Sequence, residues 1–344
     1  MSGAPLAIMA LGANSALGGL APMCAAIRAG VARFGTKPVM LGIPPDDWTD
    51  PEPLTHAAIP SLGRTAGEER LRNLAISAIH ACIAASGLRR SDLARTVVQV
   101  ALPSSAAFEN GPGPFAASLA ARLGLGGSVA TVSGSNCVAF AALAEAARQL
   151  SLDGADQALV VCVDSLAEVG RLRALDREGL IRSDRSPDGF IPGEGAVALL
   201  VRLRDAAPVG ARGVIVLGSP TMEPVVDDVR MPSGTGLADA LRGIGAADHA
   251  EVARRWVLCD LNGSTRRHHD WGVAQTRLGW PPHRLTHSAD CLGDVGAVSG
   301  GIQIALACEA FHRGWSPSPA AVAWTASDDG TRAAAIISKE SLWA

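Results

Sequence analysis

The 344-residue sequence has no tyrosine, only 4% aromatic residues and only 18% charged ones. The missing tyrosine accompanies a richness in alanine and says little about chemistry. No uninterrupted apolar run of about 20 residues occurs, so no membrane-spanning helix is expected. Neither sign of charge dominates: 30 Lys and Arg face 33 Asp and Glu, for a net charge of −3. That balance removes the electrostatic reason to expect nucleic acid or an anionic membrane as a partner. No C-x-x-C pair is present. The seven cysteines (Cys24, Cys82, Cys137, Cys162, Cys259, Cys291, Cys308) are odd in number and widely scattered. This argues against a disulfide framework or a metal site and for a reducing cytoplasm. The apolar N-terminus lacks a basic leader, and Gly12, Gly18 and Gly19 interrupt it. It reads as a first strand and turn, not a signal peptide.

What is present is a chain that is 48% hydrophobic, enough to bury a large core. Patterning predicts strands at Ala7–Leu11, Thr96–Ala101, Ser128–Val132, Gln157–Val163, Ala196–Val201, Gly213–Leu217, Arg255–Asp260 and Ala333–Ser338. Helices are predicted over Gly67–Ser86, Gly113–Leu123, Val138–Asp153, Gly234–Gly243, Asp270–Arg277 and Gly296–His312. Their alternation predicts an α/β fold with buried, largely parallel sheets. Thr36–Pro60, rich in Pro and Asp, is expected to be loop.

Cys137 falls where a strand gives way to a helix, with the Gly and Ser chemistry of a tight turn at Ser133–Asn136. Unpaired N–H groups and the dipole at the start of the helix favour a thiolate there, which makes the residue a candidate nucleophile. A buried structural cysteine is the competing reading, and position alone does not separate the two.

Downstream, Asp188–Ala196 reads D-G-F-I-P-G-E-G-A and runs into an apolar strand. This resembles the signature of β-ketoacyl-ACP synthases of the thiolase superfamily. Ala7–Gly19 resembles the first strand and Gly turn of that family, and Gly330-Thr331-Arg332 with Ala333–Ser338 its closing turn and last strand. The resemblance spans essentially the whole chain. It implies a thiolase-like α/β fold, with two βαβ-rich halves in a five-layer α-β-α-β-α arrangement. The halves are expected at 1–205, carrying the nucleophile, and at 206–344, shortened, with a hinge at Asp205–Arg212. It further implies a dimer whose interface lies near the strand before the nucleophile.

Elongating members of the family use a cysteine and two histidines. Here Asn262, in Asp260–Arg266, stands at the first histidine position, and Gly293, in Leu292–Gly300, at the second. The resemblance therefore assigns the catalytic set to Cys137, Asn262, Asp294 and Asp328. Asn262 is to donate to a carbonyl, Asp294 to serve as a replacement base, and the N–H groups of Cys137 and Asp328 to form an oxyanion hole. His268, His269, His287 and Asp290 are further candidate bases. Asp270 and Glu194 are expected in structural pairs. Substrate contacts are assigned to Ser264, Arg266, Phe190 and Gly330, with Arg266 and Arg267 either phosphate partners or part of a solvated loop. By the resemblance, Asp328 stands where a gating phenylalanine is usual, which implies a short, polar or cationic acyl group or a gate rebuilt for another purpose. Arg171, Arg173, Arg177, Arg182 and Arg185 form either a docking face for an acidic carrier or an ordinary mixed-charge surface.

No metal and no bound cofactor are expected, only a phosphopantetheine-linked substrate from an acyl carrier protein or coenzyme A. The resemblance implies an acyltransferase acting through Cys137 in fatty acid, polyketide or related secondary metabolism. A condensing enzyme with a rearranged site is one alternative. A non-catalytic, chain-length-factor-like partner of another ketosynthase is the other. The resemblance thus implies a homodimer or a heterodimer with a ketosynthase.

Overall fold

The structure, a computed structural model, describes residues 4–104, 107–152, 155–224, 231–245, 247–280 and 283–343. Its first half runs β1 (Leu6–Ser15), β2 (Gly18–Gly19), α1 (Leu20–Ala29), β3 (Gly35–Leu41), β4 (Pro53–His56), α2 (Gly67–Ser86) and α3 (Arg90–Leu93). It continues through β5 (Val97–Leu102), α4 (Pro112–Arg122), β6 (Val129–Ser133), α5 (Val138–Leu152), β7 (Ala158–Ser165), α6 (Val169–Arg177) and β8 (Glu194–Leu203). The second half holds β9 (Gly213–Leu217), β10 (Thr221–Met222), α7 (Thr235–Gly243), α8 (Ala250–Ala253), β11 (Trp256–Cys259) and α9 (Thr265–Leu278). It ends with β12 (Arg284–His287), α10 (Ala289–Leu292), α11 (Ser299–Arg313), β13 (Ala320–Ala326) and β14 (Thr331–Ser338).

The strands order as β6-β5-β7-β8-β1 in one half and β12-β11-β13-β14-β9 in the other. Substituting β9, β11, β12, β13 and β14 for β1, β5, β6, β7 and β8 turns one order into the other. The repeat is therefore structural although no sequence repeat is visible. The halves join where Leu6–Ile8 of β1 pairs antiparallel with Gly213–Ile215 of β9. Every residue of β7 is buried, as expected of a strand covered on both faces.

Three apolar clusters define the layers. Helices α2 and α4 cover the outer face of the first half, packing Leu74, Ala78 and Phe115 on Val98, Val100 and Leu200. Helices α5 and α11 lie between the halves with Leu143, Ile302 and Leu306 among Ile8, Leu199, Leu258 and Ile337. Helices α7 and α9 cover the outer face of the second half through Leu237, Leu241 and Trp271 against Trp324 and Ile336. The result is the five-layer α-β-α-β-α thiolase-like arrangement.

Several features depart from expectation. The sheets are mixed, not largely parallel: β5 and β11 pair in parallel with both neighbours, while β1, β8, β9 and β14 pair antiparallel. Within Thr36–Pro60, β3 and β4 pair antiparallel, so the stretch is a hairpin with a long tip instead of a plain loop. Helix α9 starts five residues before the predicted Asp270 because the Ser264 hydroxyl accepts the Arg267 N–H and caps it. Helix α5 is described as far as Leu152; Asp153, the predicted last residue, lies outside the described residues.

Candidate active site

Cys137 sits immediately before α5, four residues beyond the end of β6, and is 5% exposed. The elbow is fixed by the Gly134 N–H donating to Leu102 O (3.0 Å) and the Val138 N–H to Ser135 O (3.0 Å). The end of β13 and the start of β14 close over the cysteine. Its N–H donates to Ser327 Oγ (3.0 Å), Thr325 Oγ1 donates to Sγ (3.3 Å), and the Thr325 and Thr331 carbonyl oxygens lie 3.3 Å from Sγ. Burial pushes the thiol up to about 11, opposed by hydrogen bonds from Ser327 and Thr325; Asp260 adds to the rise and Arg267 opposes it. The thiolate-favouring helix start is thus outweighed by desolvation, and two carbonyl oxygens suit an S–H donor, not an anion.

Behind the elbow an internal polar network is centred on Arg267. Its guanidinium donates to Asp260 Oδ2 (2.9 Å), Asp260 O (3.1 Å) and Asn136 Oδ1 (3.2 Å), and approaches Asp294 (3.7 Å) and Asp328 (3.8 Å). Asn136, the residue before Cys137, donates to Asp294 Oδ1 (3.1 Å) and Ser299 Oγ (3.0 Å). The Asn262 amide donates to Asp294 Oδ2 (2.7 Å), and the Gly296 N–H to Asp294 Oδ1 (2.8 Å). Asn262 and Asp294 are therefore brought together, but both carboxylate oxygens are engaged by donors of the protein itself. Asp260 is buried, and desolvation lifts it to about 7 in spite of Arg267 and the Ala326 N–H that donates to it.

A further side chain at Gly293 is sterically closed. It has φ +69°, and a Cβ there would run into the Ile191 carbonyl oxygen. The approach is tight because the Asp294 N–H donates to Ile191 O and the Gly193 N–H to Asp294 O, both at 2.7 Å. This registers the D-G-F-I-P-G-E-G-A loop against the second turn.

The remaining predicted residues are placed as follows. Ser264 is the cap of α9, Arg266 is exposed, and Arg267 is buried in the network instead of facing solvent as a phosphate partner would. Gly330 has φ +94° and its carbonyl accepts the Glu223 N–H (2.7 Å). His268 and His269 are exposed on α9, and His268 Nδ1 lies 2.9 Å from the Ser264 carbonyl. His287 faces Asp290 (3.1 Å) on the wall of a separate cavity. Asp270 pairs with Arg332 (2.7 Å). Glu194 pairs with Arg70 (2.6 Å), where Ile59 N–H and Ser165 Oγ also donate to it. Asn136, Asp260, Thr325 and Ser327 were not singled out in the sequence; only the adjacency of Asn136 to Cys137 and of Ser327 to Asp328 signalled them.

Two cavities meet at the elbow and share Ser133, Gly134, Ser135 and Asp329. One, about 440 Å³, is walled by Cys137, Val132, Phe140, Ala144, Ser327 and Thr331. The other, about 410 Å³, is lined by Phe190, Asp164, Arg171, Asp294 and Asp328. Asp328 is 68% exposed on its side chain and stands at the mouth of the second. Among the described residues no group of His, Cys, Asp and Glu is arranged to hold a metal, and no helix is long and apolar enough to cross a membrane.

Residues 64–206 match the family model for the beta-ketoacyl synthase N-terminal domain. No curated protein matches the sequence closely enough to count as a relative. Among solved structures, the chain superimposes on a type II polyketide ketosynthase in complex with its acyl-carrier protein (TM-score 0.78, 12% identity, 98% of this chain and 99% of that one). A beta-ketoacyl synthase from Burkholderia phymatum gives TM-score 0.76 at 14% identity, over 98% of this chain and 99% of that one. The ishigamide ketosynthase/chain length factor gives 0.73 at 15%, over 98% and 99%. At such identities the likeness to these structures is one of fold. The segment that carries the Cys137 elbow and the Glu194 loop is thus similar to the N-terminal domain of beta-ketoacyl synthases, and the chain as a whole has the thiolase-like ketosynthase fold.

Proposed function

We propose that the protein is a ketosynthase-derived acyltransferase. Cys137 takes an acyl group from a phosphopantetheine thioester, of an acyl carrier protein or coenzyme A, and passes it to an acceptor nucleophile. The observation that carries this reading is a contrast within one site. A cysteine on a strand-to-helix elbow opens onto a cavity of about 440 Å³ with Val132, Phe140 and Ala144 in its walls, while the positions that the resemblance assigns to two histidines hold Asn262 and Gly293. Loss of one general acid/base usually costs about 10²–10⁴ in rate. Condensation with decarboxylation needs such groups, whereas thioester exchange needs only a nucleophile and donors to the oxyanion.

The setting we infer is fatty acid, polyketide or related secondary metabolism. The polyketide ketosynthase solved with its acyl-carrier protein supports a carrier as donor. The seven free, buried cysteines support a cytoplasmic protein. Strand β6 is half-buried, pairs with β5 and ends its sheet, which supports a dimer across that edge with a second copy or another ketosynthase.

One observation favours a second reading, the non-catalytic partner. The Cys137 N–H, which an oxyanion would need, is already held by Ser327 Oγ. The two readings and condensation separate in one assay of acyl transfer to small amines and alcohols, run with and without a malonyl thioester. Transfer without malonate, and no carbon dioxide from malonyl thioester, is the expected result. Release of carbon dioxide makes the protein a condensing enzyme; neither activity makes it a partner subunit.

A further inference from the structure

The end of β13 brings two hydroxyls to the Cys137 elbow. Thr325 is fully buried, and its Oγ1 donates to Cys137 Sγ at 3.3 Å. Two residues on, the Ser327 oxygen accepts the Cys137 N–H at 3.0 Å, which leaves its own proton free to turn toward the sulfur. Alternation along an extended strand puts both side chains on one side, facing the elbow. Ala326 between them points the other way, and its N–H is taken by Asp260 Oδ2 (3.1 Å), which pins the strand end against the network behind the cysteine.

We propose that Thr325 and Ser327 are catalytic hydroxyls: in acyl transfer they donate hydrogen bonds to the Cys137 sulfur as it becomes the attacking anion. The inference rests on the acyltransferase reading. In the step, the carbon–sulfur bond of the donor thioester breaks as a carbon–sulfur bond to Sγ forms, and the Cys137 proton ends on the departing pantetheine thiol. No oxidant or reductant is involved. A hydrogen bond to a charged group is worth roughly one to two pKa units for that group. Two such donors offset part of the burial that holds the thiol neutral. The charged groups acting on the sulfur are Asp260 at the end of β11 and Arg267 of α9, of opposite sign. Glu145 and Arg148 of α5, and Asp329, line the same cavity.

The test needs no acyl donor. Alkylation of the full-length protein by iodoacetamide is followed against pH, with Cys137 read by peptide mass, for wild type, Thr325→Val, Thr325→Ser and Ser327→Ala. The valine and alanine variants are expected to react about tenfold more slowly at fixed pH, with the profile moved to higher pH, and Thr325→Ser to behave as wild type. Profiles unchanged in Thr325→Val and Ser327→Ala overturn the proposal, as does faster alkylation in Ser327→Ala, which would make that hydroxyl a plug. Equal slowing in Thr325→Ser would show a packing effect and also overturn it. Failure of wild type to accept any acyl group, with the profiles shifted as expected, would instead overturn the acyltransferase reading.

Discussion

Asp260 is buried beside Arg267 with its Oδ1 lacking any hydrogen-bond partner among the described residues, and burial lifts it to about 7. Between the ordinary value of 3.8 and about 7 the native state keeps a proton that the unfolded chain has released. Unfolding then releases protons, so this residue lowers stability as pH rises through that window and adds no further change above it. Asp260→Asn removes the titration. The stability of wild type relative to Asp260→Asn, from urea unfolding, is expected to fall from about pH 4 to about pH 7 and then level off; a difference flat with pH contradicts the assignment. At this scale the sequence was legible only through the elbow. Small, turn-forming residues before an alanine-rich helix located Cys137, because local chemistry dictates that geometry. Thr325 and Ser327 meet the cysteine by tertiary contact across as many as 190 residues, and no local pattern announces such a meeting. Desolvation of the thiol is likewise a property of the packed site, so the thiolate expected from the helix start did not follow.

The D-G-F-I-P-G-E-G-A loop shows how one element organises several others. Glu194, at the start of β8, receives Arg70 of α2, Ser165 of β7 and the Ile59 N–H, so it ties three parts of the first half together. Removing one member of such a buried pair leaves a charge without compensation, at a cost of about 3–5 kcal/mol. Glu194→Ala is expected to lose stability on that scale in denaturant titration, and a loss below about 1 kcal/mol would contradict the role. Gly193 and Gly293 allow the close backbone approach beside it, which is why no side chain fits at Gly293. Elements with strong periodicity or β-branched runs were legible: α2 was expected with its observed ends, and β7 and β8 within a few residues. Strand β13, A-A-V-A-W-T-A, was missed because alanine carries no strand preference; burial on both faces of the sheet decides it. Helix α1 was missed because glycines precede it and Pro22 stands in its first turn, and α6 because its exposed, Arg-rich face masks a short apolar stripe.

Across the whole molecule, the two halves share one strand order, and corresponding helices α5 and α11 are packed between them. The first half places Cys137 at the tip of its central helix. The second closes over it with the ends of β13 and β14, and fills the space behind with Arg267 and the carboxylates of Asp260 and Asp294. Motifs made the fold legible because each sits at a turn that the layers need. The site was legible only in part: Asn262 and Asp294 were singled out from the resemblance, while the Arg267 network that holds them required the folded chain. The central claim is that Cys137 still carries acyl groups. Intact-protein mass after incubation with a panel of acyl-coenzyme A and acyl-carrier thioesters at mildly alkaline pH, wild type beside Cys137→Ala, tests it most directly. A single acyl increment on wild type that is absent from the variant is the predicted result; no increment from any donor, or one retained by Cys137→Ala, would contradict it.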